Sequence, residues 1–325
     1  VQFEAVPGYG VLLHAQVNAA GEGAPIVLMG HMDTVFPAGT VAKRPYREEA
    51  GRAYGPGVAD MKSGLVLNVF VAEAFARCGG LKAPLHLFFS CDEEIGSPAT
   101  RDLIMARVRG ARAVFNAEPG RVSGNVVTSR KGSMLVEFEV EGVAAHAGIN
   151  HAAGASAIDA LARKTLALHA LTDPATGVTA NVGVVHGGVV SNMVAPHARA
   201  ELDLRFTADT NPEDLLARVR AIIEEESVPR TQGRITVARS TLPMKPTPDY
   251  LLALYQESAR TLGFEVQGEF TGGAADSGLT ASVGVPTLCA TGPVGGHPHT
   301  EREYCELTTF VPRAQAVALA VLGHP

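Results

Sequence analysis

Three short apolar runs constrain this chain most: PIVLMG at 25–30, LHLFFS at 85–90 and ARAVFN at 111–116. Each is too short for a buried helix and too apolar for a strand with one wet face, so each predicts a strand buried on both sides. Helical periodicity separates them. SGLVLNVFVAEAFARC runs into Gly79-Gly80, a helix stop, and Ser97-Pro98 opens a second helix to about Val108. Buried strands alternating with helices predict an α/β layer around a mixed, mostly parallel sheet with flanking helices.

The pattern changes after about Ser123. MLVEFEVEG at 134–142 alternates apolar and polar residues, as a strand with one solvated face does. A helix over about 152–170 follows, then the strands TANVGVVHGG and HARAELDLRF. Asn211-Pro212 opens a helix to about Ser227, and GRITVAR at 233–239 closes the block. This strand–helix–strand–strand–helix–strand order predicts an inserted α+β ferredoxin-like domain. The expected organisation is a main domain of 1–123 plus 240–325 and an insert of 124–239.

Composition narrows the class. Lys plus Arg is 27 against 33 Asp plus Glu, a net charge of −6 with no basic run, which excludes a nucleic-acid binder. No apolar stretch reaches the roughly 20 residues of a membrane span. Cys78, Cys91, Cys289 and Cys305 are widely spaced and read as free, mostly buried thiols, which suits a reducing, cytoplasmic compartment. The chain opens at Val1, not Met, so a processed periplasmic or secreted origin stays open.

Histidines and carboxylates gather where the predicted strands end. His31 and Asp33 follow PIVLM, Asp60 precedes the first helix, and Asp92, Glu93 and Glu94 follow LHLFFS. Glu118 follows ARAVFN, and His297 and His299 lie in GGHPHTEREY. Open α/β sheets bind ligands at the carboxyl ends of their strands. Any one of these residues alone reads as a helix cap or a solvated turn. Together they crowd negative charge that needs a cation. Zinc accepts imidazole nitrogen and carboxylate oxygen, and two metals about 3.5–4 Å apart suit hydrolysis of a polarised carbonyl. Asp33, two residues from His31, is placed to orient its imidazole. Of Glu93 and Glu94, one can bind metal and the other face a water; the sequence does not say which. GPGVADMKSG is not a phosphate loop, since Pro56 and Met61 stand where glycines are required.

The string HMDTVFPAGTVAKRPYREEAGRAYGPGVADMKSG, followed in order by SCDEEIGSPATRDLI, FNAEP, AAHAG, VSNMVAP, TGGAAD and HTEREY, resembles the zinc aminoacylase/carboxypeptidase family of metallopeptidases, bacterial glutamate carboxypeptidases in particular. The resemblance covers nearly the whole chain. It implies two zinc ions per subunit, one held by His31, Asp60 and Glu118, the other by Asp60, Glu94 and His299, with Asp60 bridging. It makes Glu93 the general base, Asp33 the partner of His31, and His146 an oxyanion donor reaching the active site of the partner subunit. Asn192 would lie near the same oxygen, and Arg239 and Arg205 would face a substrate carboxylate. The insert would be a lid carrying a homodimer interface. Cobalt or manganese could replace zinc in vitro. His297 reads as a loop residue and Lys131 as a solvated strand-end lysine.

The implied reaction is cleavage of an amide bond next to a free carboxylate, releasing a C-terminal amino acid from a small peptide or N-acyl amino acid, with glutamate the first candidate. The alternatives are an aminoacylase or dipeptidase with another side-chain preference, or a non-catalytic binding or dimerisation module. Three departures from the family stand out. Only about 25 residues precede PIVLM, where relatives carry a longer helical segment. The loop 272–276 reads GGAAD where the glutamate carboxypeptidases read GGGTD, so Ala274 replaces a residue free to take a positive φ and Ala275 lacks a hydroxyl. The net charge of −6 leaves any acidic preference to local arginines.

Overall fold

The computed structural model describes residues 1–324 and divides into two compact units, Val1–Arg130 with Met244 onward, and Lys131–Pro243. The first is built on an eight-stranded mixed sheet. Its strands run in the order Gln2–Val6, Gly10–Val17, Leu85–Ser90, Ile26–His31, Ala113–Asn116, Thr287–Cys289, Val126–Arg130 and Gly268–Thr271. The central strands Leu85–Ser90, Ile26–His31, Ala113–Asn116 and Thr287–Cys289 are mutually parallel. All six residues of Ile26–His31 are buried, as an apolar run without alternation predicts. The helices Ser63–Cys78, Asp249–Thr261 and Phe310–Gly323 share one core with this sheet. Leu67, Val71, Ala72 and Phe75 form the inward stripe of the first, and Gly79 ends it at φ 71°.

The second unit is a four-stranded antiparallel sheet ordered Thr179–Gly187, His197–Phe206, Gly132–Glu141, Gln232–Thr241. Helices Ala157–His169 and Pro212–Glu224 supply the connections, giving the predicted ferredoxin-like chain order. Ser156 and Asn211 cap them by accepting the N–H of Asp159 and of Glu213. Met134, Val136, Phe138 and Val140 are buried against the helices while the intervening residues face the other side.

Several expectations shift. The first crossing between units lies at Arg130/Lys131, not after 123, because Val126–Arg130 pairs with Gly268–Thr271 and Thr287–Cys289 in the large sheet. The return lies at Pro243/Met244, since Gln232–Thr241 runs two residues beyond GRITVAR. The helix expected from Ser97 begins at Arg101, as Ser97 has φ 52° and cannot enter a helix. The helix expected over 152–170 covers Ala157–His169, because His151–Ala153 forms a separate tight turn. That expected to Ser227 ends at Glu224, where Glu225 turns to extended dihedrals. All four cysteines are free, but only Cys289 and Cys305 are buried; Cys78 is exposed and Cys91 intermediate. Neither Gly272, Gly273 nor Ala274 adopts a positive φ, so Ala274 imposes no strain on its loop. Among the described residues no helix is long and apolar enough to cross a membrane.

Candidate metal centre

The first unit places His31, Glu93, Glu94 and Glu118 at or just beyond the carboxyl ends of its parallel strands, and brings Asp60 and His299 from other segments beside them. His31 ends Ile26–His31, only 2% exposed, with its N–H on the Met61 sulfur. Glu118 lies two residues beyond Ala113–Asn116, and Glu93 and Glu94 open a short turn after Leu85–Ser90. Asp60 interrupts the stretch Val58–Lys62 with non-helical dihedrals, and Gly57, at φ 71°, starts that stretch. His299, at φ 62°, hangs from the loop before Tyr304–Glu306. Gly64 lets these pieces close up: a Cβ there would stand 1.9 Å from the Ala117 carbonyl oxygen, beside Glu118.

Two groups of donor atoms result, His31 with Asp60 and Glu118, and Asp60 with Glu94 and His299, each group within 4.8 Å of itself. Asp60 offers one oxygen to each side. His31 Nε2 is 3.2 Å from Asp60 Oδ1, and His299 Nε2 is 3.2 Å from Asp60 Oδ2 and 3.2 Å from Glu94 Oε2. The second oxygen of Glu94, Oε1, is buried and has no hydrogen-bond partner among the described residues, a cost a cation would remove. Imidazole and carboxylate donors with an orphaned buried oxygen fit a divalent metal such as zinc. Glu93 belongs to neither group, although its Oε2 is 3.8 Å from His31 Nε2.

The electrostatics express the crowding. Burial pushes Glu93 well above the usual carboxylate range, against the pull of His31, and Glu118, Asp276 and Asp60 add to the rise. Burial together with Asp60 raises Glu118 to about 7. Burial works against a charged His31, but Glu93, Asp33, Asp60 and Glu118 outweigh it and hold its pKa well above the imidazole range. The hydrogen bonds of His299 to Asp60 and Glu94 raise it to about 10.

Asp33 does more than expected. The Nδ1 of His31 is nearer the Asp33 carbonyl oxygen, at 3.0 Å, than its carboxylate, at 3.4 Å. The carboxylate instead accepts the backbone N–H of Glu93 at 3.2 Å and of Glu94 at 2.9 Å, so it holds the turn that presents both glutamates. Sequence reasoning gave no role to four further groups, although it counted Asp92 among the strand-end carboxylates. Asp276, fully buried, accepts hydroxyls from Ser90 and Ser97, and burial raises it to about 6. Asp92 accepts the N–H groups of Ala99 and Thr100. Arg130 donates to Cys289 Sγ and to the Gly273 carbonyl while buried in the field of Glu118 and Glu93. Glu303 accepts backbone N–H groups around Asp60. Asp276 and Glu303 do stand in the quoted strings TGGAAD and HTEREY, but nothing local marks their partners.

The other expected residues lie in the second unit. His146 sits in the short strand Ala145–His146, paired with Met193–Val194, and the Ala147 N–H bonds the Asn192 carbonyl. The Nδ1 of His146 accepts the N–H groups of Gly148 and Ile149, which leaves Nε2 as the hydrogen-bond donor of the exposed ring. Arg205 and Arg239 share the open face of the sheet, since their partners on Gly132–Glu141 are Ser133 and Leu135. Arg205 is clasped by Asp203 through two bonds of 2.8 and 2.9 Å, whereas Arg239 is exposed without an ion pair among the described residues. His297 packs edge-on against Tyr304 and joins neither donor group, and Lys131 donates to the Gly177 carbonyl.

The model of peptidase family M20/M25/M40 matches residues 27–323. The chain is 28% identical over 309 residues to carboxypeptidase G2 of Pseudomonas sp. (strain RS-16), covering 92% of this chain and 74% of that protein. It is 26% identical over 313 residues to a succinyl-diaminopimelate desuccinylase of Leptothrix cholodnii, covering 90% of this chain and 80% of that protein. An M20 family metallo-carboxypeptidase from Sulfolobus solfataricus shares the fold, with a TM-score of 0.81 over 100% of this chain and 90% of its own, at 17% identity. With a match over nearly its whole length and a histidine–carboxylate centre at the strand ends, the chain belongs to peptidase family M20/M25/M40 and is a metallohydrolase of the carboxypeptidase and deacylase type.

Proposed function

We propose that the chain is a dinuclear zinc hydrolase that cleaves an amide bond next to a free carboxylate, releasing a C-terminal amino acid, glutamate first among them, from a small peptide or N-acyl amino acid. The observation that carries this reading is the pair of donor groups hinged on Asp60, with Glu93 beside them and outside both. His31, Asp60 and Glu118 would hold one ion, and Asp60, Glu94 and His299 the other. Bound there, zinc would polarise the scissile carbonyl and acidify a water. Glu93, kept basic by burial and by neighbouring carboxylates, takes the proton and passes it to the leaving amine. Asp33 keeps Glu93 and Glu94 in their separate roles by bonding both backbone N–H groups.

The second unit serves in this reading as lid and dimerisation domain. Its strand Thr179–Gly187 is a sheet edge with Val184 and Val185 exposed, and Ile158 and Leu166 are exposed on the neighbouring helix, a surface suited to a second copy. His146, supplied by that copy, would donate Nε2–H to the developing oxyanion, with Asn192 nearby. Arg239, which has no ion-pair partner among the described residues, is the better anchor for a substrate carboxylate; Asp203 already occupies Arg205.

The test is amino-acid release from a panel of N-acyl amino acids and dipeptides, with zinc and again after chelation. Chelator-sensitive release with glutamate foremost supports the carboxypeptidase reading. Chelator-sensitive release of apolar residues keeps the mechanism and moves the specificity to aminoacylase or dipeptidase. Release that chelation leaves untouched would overturn the metal mechanism.

A further inference from the structure

Asp60 is the one residue common to both donor groups, yet its backbone is held by no regular element. It stands where Val58–Lys62 breaks from helical dihedrals, at φ −108° and ψ 94°, and Met61 beside it is equally non-helical. The N–H groups at the start of a helical stretch lack intrahelical partners, and here they point into the protein. Glu303 answers them. Its Oε2 accepts the Gly57 N–H at 2.8 Å, and its Oε1 accepts the N–H groups of Ala59 at 3.0 Å and Asp60 at 2.9 Å. Glu303 is 0% exposed, so water does not compete for these bonds. It lies four residues beyond His299, at the foot of the same loop, where its own N–H bonds the Thr300 carbonyl. One carboxylate thus fastens the segment bearing Asp60 to the segment bearing His299.

We infer that Glu303 is a positioning residue for the metal centre: by gathering three backbone N–H groups it fixes the direction of the Asp60 carboxylate and its distance from His299, and so sets the affinity for divalent metal. The inference rests on the proposed metal reading. It also completes a pattern, because Asp33 treats Glu93 and Glu94 in the same way. Two of the loops that carry donors are each held by a carboxylate that belongs to neither donor group.

Glu303→Gln tests it mildly. A Gln oxygen can keep the Ala59 and Asp60 bonds, but its NH2 then confronts the Gly57 N–H, donor against donor. Glu303→Ala removes all three. Zinc affinity and stoichiometry are measured on the full chain by competition with a chromophoric chelator, and thermal unfolding is followed in chelator and in zinc. The expected result is an affinity about tenfold lower for Glu303→Gln and about 100-fold lower for Glu303→Ala, the range seen when groups that orient metal ligands are changed. The zinc-induced rise in Tm should shrink in step, because that rise scales with the logarithm of affinity. Exposed Glu265→Gln is the control and should match the parent. If Glu303→Ala does not fold, Glu303→Gln decides alone. A variant that loses the same Tm in chelator and in zinc, with parental zinc affinity, assigns Glu303 a structural role only and overturns the inference. A parent chain that takes up no zinc overturns the metal reading itself and the inference with it.

Discussion

Adjacent glutamates give the sharpest test of the centre, because the sequence treats them alike and the geometry does not. Glu94 lies within a donor group, with Oε2 3.2 Å from His299 Nε2 and Oε1 buried without a partner among the described residues. Glu93 lies outside both groups, with Oε2 3.8 Å from His31 Nε2. Glu93→Gln keeps the shape and removes the basicity. It should leave metal content at the parental value and lower kcat by about 10²–10⁴, the usual contribution of general acid–base catalysis. At about 1.4 kcal/mol per tenfold, that is roughly 3–5 kcal/mol of transition-state stabilisation. The same change should raise stability in chelator. Burial and the carboxylates of Glu118, Asp276 and Asp60 oppose a charge on Glu93 by more than His31 favours it, so a neutral amide gives a net relief. A gain of about 1 kcal/mol corresponds to a Tm rise of roughly 2–4 °C in a domain of this size. Glu94→Gln should behave in the opposite way: metal affinity falls about 100-fold or more, at least the upper range for groups that merely orient ligands. Inductively coupled plasma analysis of metal per chain, steady-state kinetics and melting curves separate the two. Loss of metal in Glu93→Gln together with full metal in a slow Glu94→Gln would reverse the roles and refute the reasoning.

His146→Ala should keep full metal content while kcat falls about 10²–10³, the effect of removing one oxyanion donor; near-parental kcat would remove His146 from the site. Acid stability should depend on a separate cluster, His14 and His86 on neighbouring strands, with ring centres 5.1 Å apart beside Arg107, Glu4 and the N-terminal amine. Burial, aided at His14 by His86, Arg107 and the amine against Glu4, lowers both pKa values below the ordinary imidazole value of about 6.5. The unfolded chain therefore binds more protons just below that value, so stability is complete above it and lost as pH falls through the lowered pKa values. His14→Gln with His86→Gln should flatten Tm between pH 7 and pH 5, and an unchanged slope would refute the argument.

What the sequence made legible follows from the range of the forces involved. The runs 25–30, 85–90 and 111–116 announce buried strands because their apolar residues do not alternate, and 134–142 announces a half-exposed strand because they do. His31, Glu93, Glu94 and Glu118 stand within a few residues of such a run and Asp60 beside a helix start, so position marked them as a group; the family resemblance, not position, chose Glu94 over Glu93 and added His299. Less visible was Val126–Arg130, which reads like part of the insert until its partner Gly268–Thr271, far along the chain, is known. The N-terminal hairpin Gln2–Val6 with Gly10–Val17 escaped notice because Phe3 and Val11 stay exposed on it and its pattern is blurred.

The division of labour between Glu93 and Glu94 was hidden for a related reason. In the proposed reading it depends on Asp33, about sixty residues away in the chain, whose carboxylate accepts both of their backbone N–H groups and so holds the turn from which one side chain approaches His299 and the other His31. Asp60 depends in the same way on Glu303, 243 residues distant. Ligands can be read from a sequence because metal chemistry restricts their residue types and strands restrict their places. The groups that aim them meet no such restriction: any carboxylate that folding brings within 3 Å of an orphaned N–H will serve, wherever it lies in the chain. On the proposed metal reading, a change at a residue that no ligand motif would mark is therefore enough to release the metal.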